Sequence, residues 1–212
     1  MLKEFEKRLL SSLVIIPIAI FFIIQGSVFF IFFLSLFFFA TSYEWIKMSK
    51  KNEIIKTFGV MFLFFSFYSA FYIRENYGLN TFLFILIVCI FTDIGGYIFG
   101  KTFKGPKLTK ISPNKTYAGV IGSFLFSLIA GLVFIRYFWN SESYRIESDQ
   151  LLLLAYILFI SLISQIGDLI ISYFKRKAKL KDTGKILPGH GGLLDRIDGL
   201  IFVIPIIYLL TV

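Results

Sequence analysis

The chain has 212 residues, 57% of them hydrophobic, with 28 phenylalanines and a mean hydropathy of +0.81. Soluble domains run at about 45–50% apolar on a similar count, so a soluble core of this length cannot hide the apolar surface and a bilayer can. The formal net charge of +9 does not call for nucleic acid, because the cations sit in short loops between apolar runs, where membrane topology already accounts for them.

Met1 to Arg8 followed by an apolar run imitates a signal peptide, but the run is too long and lacks a small-x-small cleavage site, so an uncleaved anchor is expected. Leu9 to Tyr43 carries no charge. One straight helix of that length would measure about 50 Å against a hydrocarbon core of about 30 Å. Gln25-Gly26-Ser27 is the natural break, which predicts two helices near 9–24 and 28–45. Further spans are predicted near 57–73, 80–100, 116–139, 150–174 and 196–212. The expected fold is all-α, a polytopic membrane protein of about seven transmembrane helices.

With the N-terminus cytoplasmic, 19 of the 22 basic residues fall on the inside, and only Arg74, Arg136 and Arg145 fall outside. This asymmetry supports both the span count and the direction. It places the protein in the cytoplasmic (inner) membrane of a bacterial cell. Cys89 lies in an apolar run, so no disulfide is expected within the chain.

Four acidic residues fall in or beside predicted spans: Glu44, Asp93, Asp168 and Asp198. A carboxylate in the bilayer is costly unless it is paired or lines a wet cavity. Glu44, beside Trp45 at a span end, reads as a structural partner to a lysine or a helix terminus. Asp93 shares a helical face with Tyr97 and Gly100, and Asp168 with Ser164, Ser172, Lys175 and Lys179. Each face leads into a basic loop and cannot face lipid, so each is expected to face a cavity or a partner helix.

The first loop runs from Gly100 to Gly119 and contains Ser112-Pro113 and Lys115. Asn114 or Thr116 is a candidate cap for the following helix, beside Lys115, as an anion site requires. A solvated basic loop that only satisfies topology or anionic lipid is the alternative. The second loop is richer. From Ser172 to Asp198 it carries seven cations, three carboxylates, one histidine and four glycines. Lysine and arginine hold phosphates, carboxylates hold divalent metals, and glycines let backbone approach a ligand. His190 is the only histidine and the one cysteine is far away in sequence, so zinc is not expected. Hard carboxylates among lysines suit Mg2+ and phosphate. No P-loop, dinucleotide fingerprint, nucleophile elbow or transporter-type repeat is present.

The pattern Ser172-Tyr-Phe-Lys175-Arg176-x4-Lys181-Asp182-x-Gly184-x2-Leu187-Pro188-x-His190-Gly191-Gly192-x2-Asp195-Arg196-Ile-Asp198 resembles the signature of the phosphatidate cytidylyltransferases, or CDP-diacylglycerol synthases. A looser block is similar as well: Asp93-x2-Gly96-Tyr97-x2-Gly100-Lys101, then Ile111 to Gly119. The resemblance covers roughly residues 90–200, and the N-terminal part only in hydropathy. Two departures stand out. An aromatic-Glu-Gly sequence common in the second block is Tyr117-Ala118-Gly119 here, and bacterial members are often longer.

The resemblance implies that CTP and phosphatidic acid give CDP-diacylglycerol and pyrophosphate. It implies Asp168 and Asp195 as Mg2+ ligands, Asp198 as a further ligand or their support, and a second cation, K+. It assigns catalytic or phosphate-holding roles to Lys175, Lys181, Arg176 and Arg196, and substrate-binding roles to Asp93, Ser112, Lys115, Ser172 and His190. The partners implied are CTP, phosphatidic acid and membrane lipids, with room for a homodimer. Residues 1–79 are then N-terminal transmembrane helices, and 80–212 a catalytic region with cytoplasmic loops 101–115 and 175–196. A CTP-dependent kinase of polyprenol type is the alternative enzyme. A transporter is the alternative without chemistry, but it leaves the clustering of charge on one face unexplained.

Overall fold

The computed structural model describes residues 4–109, 111–138, 150–187, 189 and 191–211. The described residues form eight helices in chain order: α1 (Glu4–Gln25), α2 (Ser27–Met48), α3 (Glu53–Asn76), α4 (Gly78–Phe103), α5 (Tyr117–Phe138), α6 (Gln150–Lys177), α7 (Leu194–Ile197) and α8 (Leu200–Thr211). The protein is an all-α polytopic membrane protein. Helices α2 to α6 are long and apolar enough to cross a bilayer. The apolar part of α1, Ile15–Gln25, and α8 are shorter. The seventh predicted span is split at Asp198-Gly199 into α7 and α8, and α8 alone is about 18 Å long. The expectation of about seven spans therefore holds for five by length and composition.

The apolar surface has two destinations. Phe30, Ile73, Ile85, Val88, Ile157 and Val203 are buried between helices in a shared core. Val28, Phe39, Ile54 and Phe58 are each at least 69% exposed on the outer faces of α2 and α3, as a lipid-facing surface requires.

The break between α1 and α2 forms where expected. Gly26 takes φ +64° and Ser27 φ +48°. Arg74 of α3 donates to the Ile23 and Ile24 carbonyls at 2.9 and 3.0 Å, and the Glu75 carboxylate accepts the Ser27 N–H at 2.8 Å. The free ends of both helices are thus satisfied by side chains of a third. At the next turn Asn52 caps α3 by accepting from the Ile55 N–H at 3.1 Å.

The chain runs back and forth, so its ends and turns collect on two faces. On one face the Tyr77 hydroxyl donates to the Thr211 carbonyl at 2.7 Å, and Asn80 to the Phe138 carbonyl at 3.3 Å. On the opposite face lie the turn after α2 and the described residues of the two basic loops, 104–109 with 111–116, and 178–187 with 189 and 191–193. The helices of 1–79 pack directly on those of 80–212, as in the Phe30–Phe82 edge contact at 5.3 Å.

Helices α4 and α5 approach through small residues, as helices in lipid do when no hydrophobic force drives them together. A Cβ at Gly122 would lie 2.6 Å from the Gly95 carbonyl oxygen and would overlap Phe99. Gly122→Ala is accordingly expected to destabilise the protein by about 1–3 kcal/mol, the usual range for overpacking. Thermal unfolding in detergent measures this, and an unchanged midpoint would show that the two helices part freely.

Candidate functional site

Between α4, α5, α6 and the two basic loops lies a cavity of about 430 Å³. Five carboxylates line it, among them Asp93 from α4, Asp168 from α6 and Asp198 from the α7–α8 junction. Lys115, Lys175 and Arg196 supply the cations of the wall, and Ser112 and Asp195 complete the set of predicted residues found there.

Close packing brings these groups together. A Cβ at Gly199 would lie 2.9 Å from the Ser164 carbonyl oxygen, and one at Gly167 would lie 3.0 Å from the Asp198 carbonyl oxygen. Only glycine at both positions lets the α7–α8 junction sit this close to α6. The Asp168 and Asp198 carboxyls then come within hydrogen-bonding reach of each other. Asp168 is further held by Ser172, whose hydroxyl donates at 3.2 Å, and by the Lys115 ammonium at 2.6 Å. Ser172 therefore supports a carboxylate instead of facing the cavity.

Lys115 arrives from the first loop. That loop folds back on itself through Leu108 N–H to Lys115 O at 2.8 Å and Tyr117 N–H to Pro106 O at 3.2 Å. The turn out of α4 uses positive φ at Lys104 and Gly105. Of the two candidate caps for α5, Thr116 is the one used: its hydroxyl accepts from the Gly119 N–H at 3.1 Å.

Asp195 has a different environment. One oxygen pairs with Lys175 at 2.8 Å, with both side chains buried. The other accepts from the Thr183 N–H at 2.8 Å, the Thr183 hydroxyl at 3.0 Å and the Gly192 N–H at 3.1 Å. One oxygen is taken by Lys175 of α6 and the other by the loop's own donors, so a cation at Asp195 would have to displace Lys175 or the loop.

Lys181 and Arg176 are not brought to the cavity wall. Lys181 is exposed. The Arg176 guanidinium donates to the Leu180 carbonyl at 3.0 Å, where α6 ends in a Schellman turn with Lys179 at φ +58°. His190 lies outside the described residues. Gln165 and Asp182 also line the cavity and are absent from the sequence-based candidates. Each carried a signal: Gln165 is a polar residue one turn before Asp168 on an apolar helix, and Asp182 stands inside the signature.

Among the described residues no group of three or more His, Cys, Asp or Glu is arranged as a closed metal centre. Mg2+ does not need one. It is commonly held by one or two carboxylates plus substrate phosphates, and the adjacent Asp168 and Asp198 carboxyls meet that requirement. No feature of the described residues favours K+ as a second cation.

A second cavity, about 650 Å³ and almost wholly apolar, opens among α1, α2, α3, α4 and α8. Ile23, Phe33, Phe67 and Ile204 are typical of its walls. Among the described residues Arg196 alone lines both cavities.

The protein is thus a membrane protein with a charged pocket and an apolar pocket that share one lining residue, Arg196. Residues 54–212 match the model of the Cytidylyltransferase family, and the chain belongs to that family. It is 41% identical over 155 residues to a phosphatidate cytidylyltransferase of Staphylococcus aureus (strain COL), covering 73% of this chain and 55% of that protein. It is 44% identical over 133 residues to a phosphatidate cytidylyltransferase of Rickettsia typhi, covering 61% of this chain and 58% of that protein. The chain spans a little over half the length of these curated relatives.

Proposed function

We propose that the protein transfers a cytidylyl group from CTP to phosphatidic acid, giving CDP-diacylglycerol and pyrophosphate in phospholipid synthesis. The observation that carries this reading is the pair of cavities meeting at Arg196. The acyl chains of phosphatidic acid belong in the apolar cavity, its phosphate at Arg196, and the CTP phosphates among Lys115, Lys175 and the carboxylates. The family model matches residues 54–212, which include the helices and loops that build the charged cavity.

The chemistry asked of such a site is modest. An oxygen of the phosphatidate phosphate attacks the α-phosphorus of CTP, a new P–O bond forms, and the bond to the bridging oxygen of pyrophosphate breaks. The nucleophile is already an anion, so no strong general base is required. What is required is neutralisation of two mutually repelling anions and their in-line placement. Lys115, Lys175 and Arg196 supply positive charge from three elements, and Asp93 and Ser112 shape the wall between them. Asp168, with Asp198 beside it, would hold Mg2+, which when bound supplies charge neutralisation to the triphosphate and its leaving group.

The same reading places the N-terminus, the turn after α2 and both basic loops in the cytoplasm, where CTP is found. α1 and α8 complete seven passages through the inner membrane in this arrangement, and 80–212 is the catalytic region.

The test is a purified-protein assay with CTP labelled at the α- or the γ-phosphate. With Mg2+ and phosphatidic acid in liposomes, label is expected in lipid from the α position, with release of pyrophosphate. Lipid labelled from the γ position, with release of CDP, would mean a kinase. Absence of both would leave transport.

Ala118 stands in the first turn of α5, half-buried and off the cavity wall. A glutamate at that position in relatives would then help to set loop geometry without doing chemistry. Ala118→Glu is expected to change kcat by less than about fivefold, or about 1 kcal/mol of barrier. A hundredfold gain would show instead that this chain lacks a group the reaction needs.

A further inference from the structure

We infer that Glu44, on α2 and upstream of the residues matched by the family model, is a positioning residue that fixes the second basic loop in the shape that presents Asp195 and Arg196 to the charged cavity. Glu44 is 1% exposed. Its two oxygens accept from the Leu193 N–H at 3.0 Å and the Leu194 N–H at 2.8 Å, and one of them shares the single proton of the Thr183 hydroxyl, 3.0 Å away, with Asp195. The same hydroxyl lies 3.0 Å from Asp195. Thr183 is thus clasped between a carboxylate from α2 and one from the loop itself.

Two features make this a built contact. The loop has been cleared to receive the carboxylate: a Cβ at Gly184 would overlap Glu44, and one at Gly192 would lie 2.7 Å from a Glu44 oxygen. Glu44 is also held from its own side. The neighbouring Trp45 donates to the Ile55 carbonyl at 3.2 Å, packs against Gly59, and meets Phe174 of α6 edge-on at 5.0 Å. The carboxylate is therefore presented from a rigid junction of α2, α3 and α6. It takes up the N–H groups at the entry to α7, where Leu193 provides no side-chain cap. Arg196 and Asp198 follow within one turn.

The inference rests on the proposed reaction only for its catalytic readout, so the test has two arms. In the first, kcat and KM for CTP are measured for Glu44→Gln, Glu44→Ala and the exposed control Glu53→Gln, each normalised to folded protein. Both Glu44 variants are expected to lose about 30-fold or more in kcat, as a catalytic group displaced by about an ångström does. KM is expected to change little, and the control to match wild type. In the second arm, trypsin cleavage after the exposed Lys185 is timed without substrate, and both Glu44 variants are expected to be cut faster there while the rest of the chain resists as before. Wild-type kcat and wild-type cleavage in both would overturn the inference, as would a loss of kcat without faster cleavage. Should the Glu44 variants fail to fold, Thr183→Val takes their place: faster cleavage supports the inference and wild-type cleavage overturns it. A wild-type protein inactive with CTP and phosphatidic acid, whose loop is nonetheless loosened by Glu44→Gln, would end the proposed reaction and leave the positioning role standing.

Discussion

Asp168→Asn is expected to lower kcat by at least about 100-fold, the scale of losing one charged group that stabilises a phosphoryl transition state. The protein should remain folded. Asparagine keeps the size of the side chain and its oxygen still accepts from the Ser172 hydroxyl, which now approaches at 3.2 Å. Lys115 loses its counter-charge, but its side chain is about a quarter exposed, and water takes over part of the charge at small cost to stability. What the amide cannot do is bind a divalent cation beside Asp198. The measurement is steady-state kinetics on protein shown by size exclusion and thermal unfolding to match wild type. A variant retaining more than about a third of wild-type kcat would remove Asp168 from the site.

The parts of this arrangement legible in the sequence are those written in local pattern. Apolar run length located α2 to α6, and a single glycine between two polar residues located the α1–α2 break. Helical spacing put Asp93 and Asp168 on inward faces, and both line the charged cavity. The parts not legible depend on distant pairing. The family resemblance implies phosphate-holding roles for Arg176 and Lys181. Whether a guanidinium turns to a cavity or to the carbonyl of its own helix end depends on how α6 terminates, and Lys179 at positive φ decides that. The seventh span read as continuous because Asp198-Gly199 breaks no hydropathy rule. The break follows from the contact of Gly199 with Ser164 on α6.

The glycines of the signature give the clearest case. Four of them in one loop suggest backbone brought close to a ligand. Gly189 and Gly191 do take positive φ, but Gly184 and Gly192 make room for Glu44. Glu44 precedes Thr183 by 139 residues and Leu194 by 150, so no local pattern joins them. Among the described residues Glu44 partners a helix terminus and not a lysine, and the terminus is the start of α7, on another part of the chain.

Asp195→Asn is expected to be as damaging to kcat as Asp168→Asn, about 100-fold or more, but for a reason that separates the two. Asp195 is the buried partner of Lys175 and the acceptor for three donors of its own loop. An amide there keeps one acceptor, turns N–H bonds toward groups that are themselves donors, and leaves the Lys175 ammonium buried without its directly bonded counter-charge. Breaking one side of a buried pair costs about 3–5 kcal/mol, so the thermal midpoint in detergent should fall, which Asp168→Asn should not cause. Removing the orphaned charge as well, in the double variant Lys175→Met with Asp195→Asn, should restore much of that stability, because an uncharged pair of similar volume pays no desolvation. It should restore none of the activity, since neither the lysine at the cavity wall nor the ordered loop returns. A single variant with wild-type stability and lost activity would instead make Asp195 a metal ligand as the signature implies, with Lys175 free to leave it. A double variant no more stable than Asp195→Asn alone would show that the loop's N–H donors, and not the ion pair, set the stability of this corner.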